Sequence, residues 1–235
     1  VNSLKSVVIL VHGGGWKKGD RSKEHTKAAW FSNRGYIVVC PEYRLSGEAL
    51  FPAAIHDLKD AICWTREHAR KWGGQPDRIV LMGFSAGAHL VALAAAAGPE
   101  AGLDTLESQK QAGSLAACIV VAGPSITNDE RAFLEARKPE SNYQLFLGDL
   151  PENIPATYEK ASPAHWVSGN EPPMLFITEG NPSAHDTIRS KLDDVGIRNE
   201  VFNLTGGLHS EWNWEPWFTP TMEVTEAFMR SVINH

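Results

Sequence analysis

Short apolar runs alternate with amphipathic segments along most of the chain. Six runs rich in branched aliphatic side chains predict buried strands, because a strand covered on both faces reads as a continuous apolar stretch. These predicted strands cover residues 6–11, 36–40, 77–83, 115–123, 173–178 and 199–204. Between them, segments with apolar positions at helical spacing predict helices. The predicted helices cover residues 22–35, 53–73, 86–97, 182–196 and 219–233.

This alternation predicts an α/β fold. A strand, a helix and a second parallel strand form a right-handed crossover, so we expect a mostly parallel sheet with helices on both faces. We expect residues 1–235 to form a single domain. Residues 124–172 break the pattern, since they are rich in Pro, Asn and Ser and show one helical stretch near 129–137. A connection of that length predicts a small lid over the functional site.

Composition and charge narrow the class of partner. With 43% hydrophobic and 21% charged residues, the chain is typical of a globular protein. A formal net charge of −6 and the lack of a long basic run argue against nucleic acid or an anionic membrane as the partner. No apolar segment reaches the roughly 18–20 residues that span a bilayer, so no membrane span is expected. A homo-oligomer is compatible with the sequence.

The first residue and the cysteines leave the compartment open. Val1 is not methionine, which is compatible with removal of a leader or an N-terminal segment, so cytoplasm, periplasm and secretion all remain candidates. Cys40 and Cys118 lie in predicted strands and Cys63 in a predicted helix, where we expect buried, reduced thiols. Neither these three cysteines nor the nine histidines show the spacing of metal ligands, so no metal site is predicted.

The segment LMGFSAGAHL (81–90) places a serine at the junction of a predicted strand and a predicted helix. Ser85 stands between Gly83 and Gly87 in the G-x-S-x-G arrangement, which carries a hydrolase nucleophile on a sharp strand-to-helix turn. A side chain at either glycine would collide with the neighbouring strand or helix, and the strained turn lifts the hydroxyl above the sheet edge. Ser85 is therefore the predicted nucleophile, and a packing turn of small residues is the alternative.

Three glycines in VHGGGW (11–16) directly follow the first predicted strand. Glycine lets the backbone approach a ligand closely, and amides aimed at a developing negative oxygen stabilise a tetrahedral intermediate. We predict that the N–H groups of Gly14, Gly15 and Ala86 form an oxyanion hole. A phosphate-binding loop is disfavoured because no G-K-[ST] follows. His12 is predicted to be a structural hydrogen-bonding residue of this loop.

A serine nucleophile needs a base within hydrogen-bond distance. The segment NLTGGLHSEWNW (203–214) places His209 in a glycine-flanked loop after the last predicted strand. We therefore predict that His209 is the base. His89, on the helix after Ser85, is expected to be partly buried near the nucleophile.

Together, HGGGW (12–16), PEYRL (41–45), FPAAIHDLKDAICW (51–64), GFSAGAH (83–89) and GGLHSEWNWEPW (206–217) resemble the α/β-hydrolase superfamily. They look most like its hormone-sensitive-lipase-like and bacterial acetyl-xylan or feruloyl esterase-like branch, and the similarity covers nearly the whole chain. The resemblance implies an α/β-hydrolase fold with a minimal lid. It also implies that a Ser–His–acid triad hydrolyses short-chain or carbohydrate-linked (acetyl- or feruloyl-type) carboxylic esters through an acyl-enzyme, without a cofactor. The expected substrate is a small-molecule or polysaccharide-linked ester.

The acid of that triad is left open. In the family, an Asp-Pro pair often opens a helix at a place where FITEGNPSAHDTI (176–188) has Asn181-Pro182. Asn181 is thus predicted at the acid position, although an amide cannot offset an imidazolium charge; Asp186 and Glu179 are the alternatives. If none of the three acts, the chain is a catalytically impaired hydrolase fold used for binding. An arylformamidase-like amidase is a further alternative, because such enzymes share the HGG-type loop and the GxSAGAH turn.

Four tryptophans flank the predicted site. Trp16 follows the glycines, and Trp212, Trp214 and Trp217 follow the predicted base. Indole rings near a site can form a stacking wall for a sugar or aryl ester, or they can pack under a lid. The sequence leaves both roles open for the predicted pocket residues Trp16, Trp212 and Trp214.

Overall fold

The computed structural model describes residues 4–111, 113–206 and 208–233, the side chains of residues 110 and 111 excepted. Its centre is a parallel sheet of six strands in the order β2-β1-β3-β4-β5-β6. The strands are β1 (Lys5–Val11), β2 (Ile37–Val39), β3 (Gly74–Phe84), β4 (Ala117–Val121), β5 (Met174–Glu179) and β6 (Asn199–Leu204). All six predicted strands are present, and the predicted α/β class is confirmed.

Eight α-helices accompany these strands within the described residues. They are α1 (His25–Ser32), α2 (Ala53–His68), α3 (Ala86–Ala96), α4 (Glu130–Ala136), α5 (Asn142–Leu147), α6 (Pro155–Lys160), α7 (Asp186–Asp194) and α8 (Phe218–Ile233). No helix in the described ranges is both long enough and apolar enough to cross a membrane.

The strands alternate their side chains between two hydrophobic cores, as the pleat of a strand requires. Odd-numbered residues of β1 such as Ile9 face a core that includes α2, α3 and α7. Even-numbered residues such as Leu10 face a second core that includes Phe31 of α1 and Met229 of α8. The central strands β1, β4 and β5 are buried along most of their length and are apolar at nearly every position there, whereas the edge strand β6 is only partly buried and keeps polar side chains.

Three predicted helices have a 3₁₀ turn in place of α-helix at one end. The predicted helix 22–35 begins as a 3₁₀ turn over Arg21–Glu24, where the Asp20 side chain accepts a hydrogen bond from the Ser22 amide. The predicted helix 53–73 likewise ends as a 3₁₀ turn at Gly73, which has a φ of 78°. The predicted helix 182–196 opens with a 3₁₀ turn over Pro182–His185. Tight turns at helix ends satisfy backbone groups that lack an intrahelical partner.

Residues 124–172 contain more helix than the sequence predicts. The stretch expected near 129–137 is present as α4, whose first turn is capped by Asp129, which accepts from the Ala132 amide at 2.8 Å. The helices α5 and α6 are each six residues long and were not predicted, because so short a helix lacks two turns of apolar repeat. Phe146 of α5 is buried against Trp16, so this segment packs directly onto the loop of residues 11–16, which we call the glycine-rich loop.

Candidate active site

Ser85 occupies a strained turn between β3 and α3. Its φ of 52° and ψ of −117° lie outside the regions that L-residues favour. Its amide donates a hydrogen bond to the Val121 carbonyl at 2.8 Å, which ties the turn to the end of β4. Strain of this kind persists only where the surrounding structure holds it, and it is common at functional sites. The hydroxyl therefore stands at the carboxyl edge of the sheet.

The glycines on either side of Ser85 are required by space. A Cβ at Gly83 would lie 2.2 Å from the Gly87 carbonyl oxygen, and a Cβ at Gly87 would lie 2.2 Å from the carbonyl oxygen of Val11. Both obstacles are backbone atoms, which cannot rotate away. The close approach of β1, β3 and α3 at this turn thus explains the G-x-S-x-G spacing.

The structure brings Ser85 and His209 into contact, although they are 124 residues apart. Ser85 Oγ lies 2.9 Å from His209 Nε2, and His209 Nδ1 lies 2.7 Å from Glu179 Oε2. A carboxylate can only accept, so Nδ1 carries the proton and Nε2 is free to accept from the serine hydroxyl. The second oxygen of Glu179 accepts from the Ser210 amide at 2.8 Å. Glu179 therefore orients both the imidazole and the loop that carries it.

The prediction that Asn181 holds the acid position is wrong. The Asn181 side chain caps the 3₁₀ turn that follows it and accepts from the Ser183 amide at 3.1 Å. Asp186 lies farther along and pairs with Arg189 at 3.5 Å. Glu179, the last residue of β5, lies beside His209 because the paired strand β6 leads into the loop that carries His209, which we call the histidine loop. Of the three candidates the sequence left open, the carboxylate at the strand end contacts the imidazole.

The contact with Glu179 changes the acidity of the imidazole. The hydrogen bond from Nδ1 to the carboxylate raises the pKa of His209 above its ordinary value of 6.5; partial burial lowers the pKa, and the carboxylate's charge raises it. The Glu179 side chain is 11% exposed and that of His209 is 57% exposed. The carboxylate is thus shielded from water on most sides, while the imidazole still faces the cleft.

The glycine-rich loop lies against the serine turn. A Cβ at Gly13 would lie 2.6 Å from the Phe84 carbonyl oxygen, and Gly14 and Gly15 have φ values of 139° and 61°. Among the described residues, nothing accepts a hydrogen bond from the amides of Gly14, Gly15 or Ala86. Gly15 and Ala86 line one cavity together with Ser85, and Gly14 lines a second cavity with it, so the three residues predicted to form an oxyanion hole lie around the serine.

His12 and His89 are both buried and engaged elsewhere. His12 stacks on Tyr43 with ring centroids 4.4 Å apart and its Nδ1 lies 3.0 Å from the Gly13 carbonyl oxygen, as expected of a structural residue. His89 was expected to be partly buried but has no exposed surface. Its Nε2 donates to the Ala161 carbonyl at 2.7 Å, and burial lowers its pKa to about 4. His89 is therefore a neutral core residue.

The predicted pocket tryptophans divide into two kinds. Trp16 is 4% exposed and stacks on Phe146, and Trp212 is 2% exposed and lies edge-on to the His209 ring at 5.2 Å. Neither ring offers an open face, so both are packing residues that support the site. Trp214 is 68% exposed and lines the cleft next to Ser85.

Three cavities meet at His209. The largest, about 810 Å³, lies on the side of α1 and also reaches Ser85 and Trp214. A second, about 550 Å³, contains Ser85, Gly15 and Ala86 and is bounded by residues of the 124–172 segment. The third, about 300 Å³, lies behind the imidazole and is lined by Glu179 and Asn181. An ester bound at Ser85 would thus have room on two sides of the hydroxyl.

A buried ion pair, which no sequence pattern predicts, supports the histidine loop. Lys27 and Glu24 lie 2.8 Å apart and each side chain is 2% exposed. The Lys27 ammonium also donates to Asn213 Oδ1 at 2.7 Å and lies 4.3 Å from the centre of the Phe84 ring. Lys27 therefore connects α1 to the residue before Ser85 and to the loop that carries His209. No local pattern links residues 186 positions apart.

The described residues contain no cluster of three or more His, Cys, Asp or Glu side chains arranged to hold a metal ion. The side chains of Cys63 and Cys118 are buried, and that of Cys40 is half-buried. Gly207, part of the glycine-flanked loop in the sequence, lies outside the described residues.

Curated relatives of the chain include mycobacterial esterases. Esterase LipQ of Mycobacterium tuberculosis is 33% identical over 197 residues, which cover 81% of this chain and 46% of LipQ. Esterase LipC of the same organism is 30% identical over 179 residues, which cover 73% of this chain and 43% of LipC. The chain thus spans less than half the length of these relatives.

Solved structures share the fold. The thermophilic esterase Est2 of Thermogutta terrifontis aligns with a TM-score of 0.79 at 24% identity, over 97% of this chain and 82% of Est2. Its butyrate-bound form aligns with a TM-score of 0.78 at 25% identity, over 97% of this chain and 84% of Est2. The expected α/β-hydrolase fold is confirmed. The BD-FAE family model matches residues 2–187, and the chain belongs to this family of α/β-hydrolase esterases.

Proposed function

We propose that the protein is a serine carboxylesterase that hydrolyses short-chain or carbohydrate-linked esters, of the acetyl or feruloyl type, through an acyl-enzyme. One observation carries the proposal: the continuous hydrogen-bonded path from Ser85 Oγ through His209 to Glu179, with distances of 2.9 Å and 2.7 Å. A nucleophile, a base and an orienting acid in this order are the recurring arrangement of serine hydrolases. The alternative of an impaired hydrolase was suggested by Asn181 at the predicted acid position. It loses its support because the Glu179 carboxylate contacts His209.

In the first half-reaction, Ser85 Oγ attacks the ester carbonyl carbon while His209 Nε2 takes the hydroxyl proton. The carbonyl oxygen becomes negative, and the amides of Gly14, Gly15 and Ala86 are the proposed donors to it. Losing one such donor typically costs about 3 kcal/mol of transition-state stabilisation. The tetrahedral intermediate then collapses, the bond to the alcohol oxygen breaks, and His209 returns its proton to the leaving alcohol.

In the second half-reaction, water replaces the alcohol. His209 takes a proton from the water as the water oxygen attacks the acyl carbon, and it returns that proton to Ser85 Oγ as the carboxylic acid leaves. Glu179 stays ionised throughout and offsets the positive charge of the imidazolium in both steps. Each half-reaction thus ends with the histidine neutral and ready for the next.

The lining of the cavities supports a short or polar substrate. The 550 Å³ cavity beside Ser85 is bordered by the charged residues Glu135, Lys138 and Glu140. A long alkyl chain there would remove the Glu135–Lys138 ion pair and the Glu140 carboxylate from water, which is unfavourable. Acetyl and feruloyl groups are small or carry polar atoms. The similar Est2 of Thermogutta terrifontis is described in a butyrate-bound form, which agrees with a short acyl group.

Hydrolysis of p-nitrophenyl acetate, butyrate and octanoate by the wild type and by Ser85→Ala tests the proposal. We expect kcat/KM to fall from acetate or butyrate to octanoate, and the Ser85→Ala variant to lose at least about a thousand-fold, since removing a nucleophile disables the whole triad. Ser231→Ala is the matched control, because this serine lies near the end of α8 and contacts Arg198 instead of the site.

Two outcomes would contradict the proposal. If N-formylkynurenine is hydrolysed faster than every ester in a Ser85-dependent way, the protein is an amidase. If no substrate shows Ser85-dependent turnover, the arrangement serves binding alone.

A further inference from the structure

We propose that the open cleft on the α1 side of Ser85 binds the alcohol half of an ester substrate that carries an anionic group, a carboxylate or a sulfate on a sugar or aromatic ring. We call this surface the lysine cleft and define it by Lys17, Lys18, Lys23 and Trp214. This inference rests on the proposed function and adds the charge of the preferred substrate.

The cleft places three lysines at the mouth of the site. Lys17 and Lys18 directly follow the glycine-rich loop, and Lys23 lies in the 3₁₀ turn before α1. All three are exposed, and the Lys23 ammonium lies 3.4 Å from the carbonyl oxygen of Gly13, a glycine of that loop. The three lysines therefore line the same cavity as Ser85.

The three lysines of the cleft form no close ion pair within the part of the chain that the structure describes. Across the described residues, no carboxylate lies within 4.0 Å of the ammonium of Lys17, Lys18 or Lys23. Asp20 is near Lys23, but its carboxylate accepts from the Ser22 amide. The other two charged side chains that line the cleft, Lys27 and Glu24, neutralise each other as a buried pair.

The charge of the lysine cleft differs from that of the rest of the molecule and of the neighbouring cavities. The whole chain carries a formal net charge of −6. The described residues that line the cavity behind His209 include the carboxylates Asp129, Glu135 and Glu179 and the cation Arg131. The 550 Å³ cavity, which Lys17 also borders, is lined by two lysines and two glutamates. A cleft lined by charges of one sign raises the local concentration of the opposite charge and speeds its association by 10-fold to 10³-fold. A substrate with a negative alcohol half would thus be oriented with its acyl group toward the other side of Ser85.

Size and stacking favour a ring in the lysine cleft. At about 810 Å³ it is larger than the 550 Å³ cavity that borders Gly15 and Ala86, so the bulkier half of the ester fits there. Trp214 is 68% exposed and lines this cleft, so its indole is available to stack on a sugar or aromatic ring. An anionic sugar in this cleft could stack on the Trp214 indole while its charge lies near the three lysines.

Matched aryl acetates test the charge preference. The substrates are 3-acetoxybenzoate and 3-acetoxybenzenesulfonate, which are anionic, and methyl 3-acetoxybenzoate, which is neutral. For each enzyme we take the ratio of kcat/KM for an anionic ester to kcat/KM for the neutral ester. This ratio is compared between the wild type and Lys17→Gln/Lys18→Gln/Lys23→Gln, so that the intrinsic reactivity of each ester cancels. We expect this ratio to fall about ten-fold at low salt, and about 0.5 M NaCl to remove most of the difference. The anionic substrate, carboxylate or sulfonate, whose ratio falls more in the lysine-cleft variant carries the anion that the cleft prefers.

The matched control is Lys5→Gln/Arg70→Gln/Lys71→Gln, which removes the same charge. These residues are exposed and lie where β1 begins and just before β3 begins, at the sheet edge opposite Ser85. A ratio unchanged in the lysine-cleft variant, or lowered equally in the control, would overturn the inference. Because Lys23 contacts the glycine-rich loop, Lys17→Gln/Lys18→Gln is measured as well and is expected to show a smaller fall of the same sign.

A binding measurement separates this inference from the proposed function. In the Ser85→Ala background, calorimetry compares an oligogalacturonate with a neutral xylo-oligosaccharide of equal length. We expect the oligogalacturonate to bind at least about ten-fold more tightly, and the lysine-cleft variant to lose that difference. Equal affinity for the two saccharides contradicts the inference, whereas absence of Ser85-dependent hydrolysis of methyl 3-acetoxybenzoate contradicts the proposed function alone.

Discussion

The Glu179→Gln variant probes the least expected feature of the site. The substitution keeps the shape of the side chain and removes its charge. In the wild type, one oxygen accepts from His209 Nδ1 and the other accepts from the Ser210 amide. A glutamine has one oxygen, so it can satisfy either donor but turns an N–H group toward the other. We therefore expect the imidazole to lose its fixed orientation as well as its counter-charge.

The size of the effect follows from Coulomb's law. With Nδ1 and Oε2 2.7 Å apart, the centres of the imidazolium and carboxylate charges are roughly 4 Å apart, which corresponds to about 4 kcal/mol at an effective dielectric constant near 20. At about 1.4 kcal/mol per factor of ten, this is about 10³ in rate. Solvent screens part of this interaction because His209 is 57% exposed. We expect kcat for p-nitrophenyl acetate to fall by about 10² to 10³.

The pH dependence gives a second readout of the same contact. His209 must be neutral to accept the serine proton, and its pKa is raised by the bond to Glu179. In the wild type, kcat/KM should rise with pH through a midpoint above 6.5, the ordinary histidine value. In Glu179→Gln the midpoint should move to lower pH, since the raising influence is gone. A purely structural role for Glu179 would leave this midpoint unchanged.

Asn181 supplies the matched control for this experiment. Its side chain caps a turn and does not contact His209. We expect Asn181→Ala and Asn181→Asp to keep kcat within about three-fold of the wild type, with the same pH midpoint. Wild-type kcat in Glu179→Gln, or a loss in Asn181→Ala as large as that in Glu179→Gln, would contradict the role assigned to Glu179.

Two further substitutions test the packing around the site by chemical denaturation. Gly83→Ala places a Cβ 2.2 Å from a backbone oxygen of Gly87 and should lower the free energy of unfolding by about 1–3 kcal/mol. The control is Gly47→Ala, whose Cβ would have no atom within 4 Å, and its free energy of unfolding should stay within about 0.5 kcal/mol of the wild type. Lys27→Met leaves Glu24 buried without its partner and should cost about 3–5 kcal/mol. Adding Glu24→Gln to Lys27→Met should recover much of that loss, and an equally unstable double variant would count against the buried pair.

The organisation of the fold was open to prediction because its signals are local. Apolar runs such as residues 6–11 mark strands buried on both faces. The turn at Ser85 requires small residues at fixed positions, so the G-x-S-x-G spacing revealed it. The glycine-flanked loop after the last strand identified His209 in the same way.

Other features depended on contacts between distant segments. The short helices α5 and α6 lack a long enough repeat to be recognised. The tryptophans could not be sorted into packing and exposed residues, since only tertiary contacts bury Trp16 and Trp212 and leave Trp214 open. The lysine cleft becomes visible only when its lysines are seen to share a cavity with Ser85.

The acid of the triad is the site residue that sequence reasoning did not identify. Asn181 occupies the place that a family comparison favours, but its side chain is used locally to cap the turn after β5. Glu179 differs from a solvent-facing residue at a strand end only through the pairing of β5 with β6, which sets it opposite Leu204 and beside the histidine loop. Residue patterns were sufficient to predict the strands, the helices other than α5 and α6, the serine turn and the histidine loop, because neighbouring residues encode backbone conformation and burial. The identity of the carboxylate that contacts the imidazole follows from the folded chain alone, because it depends on the distance between segments that share no local pattern.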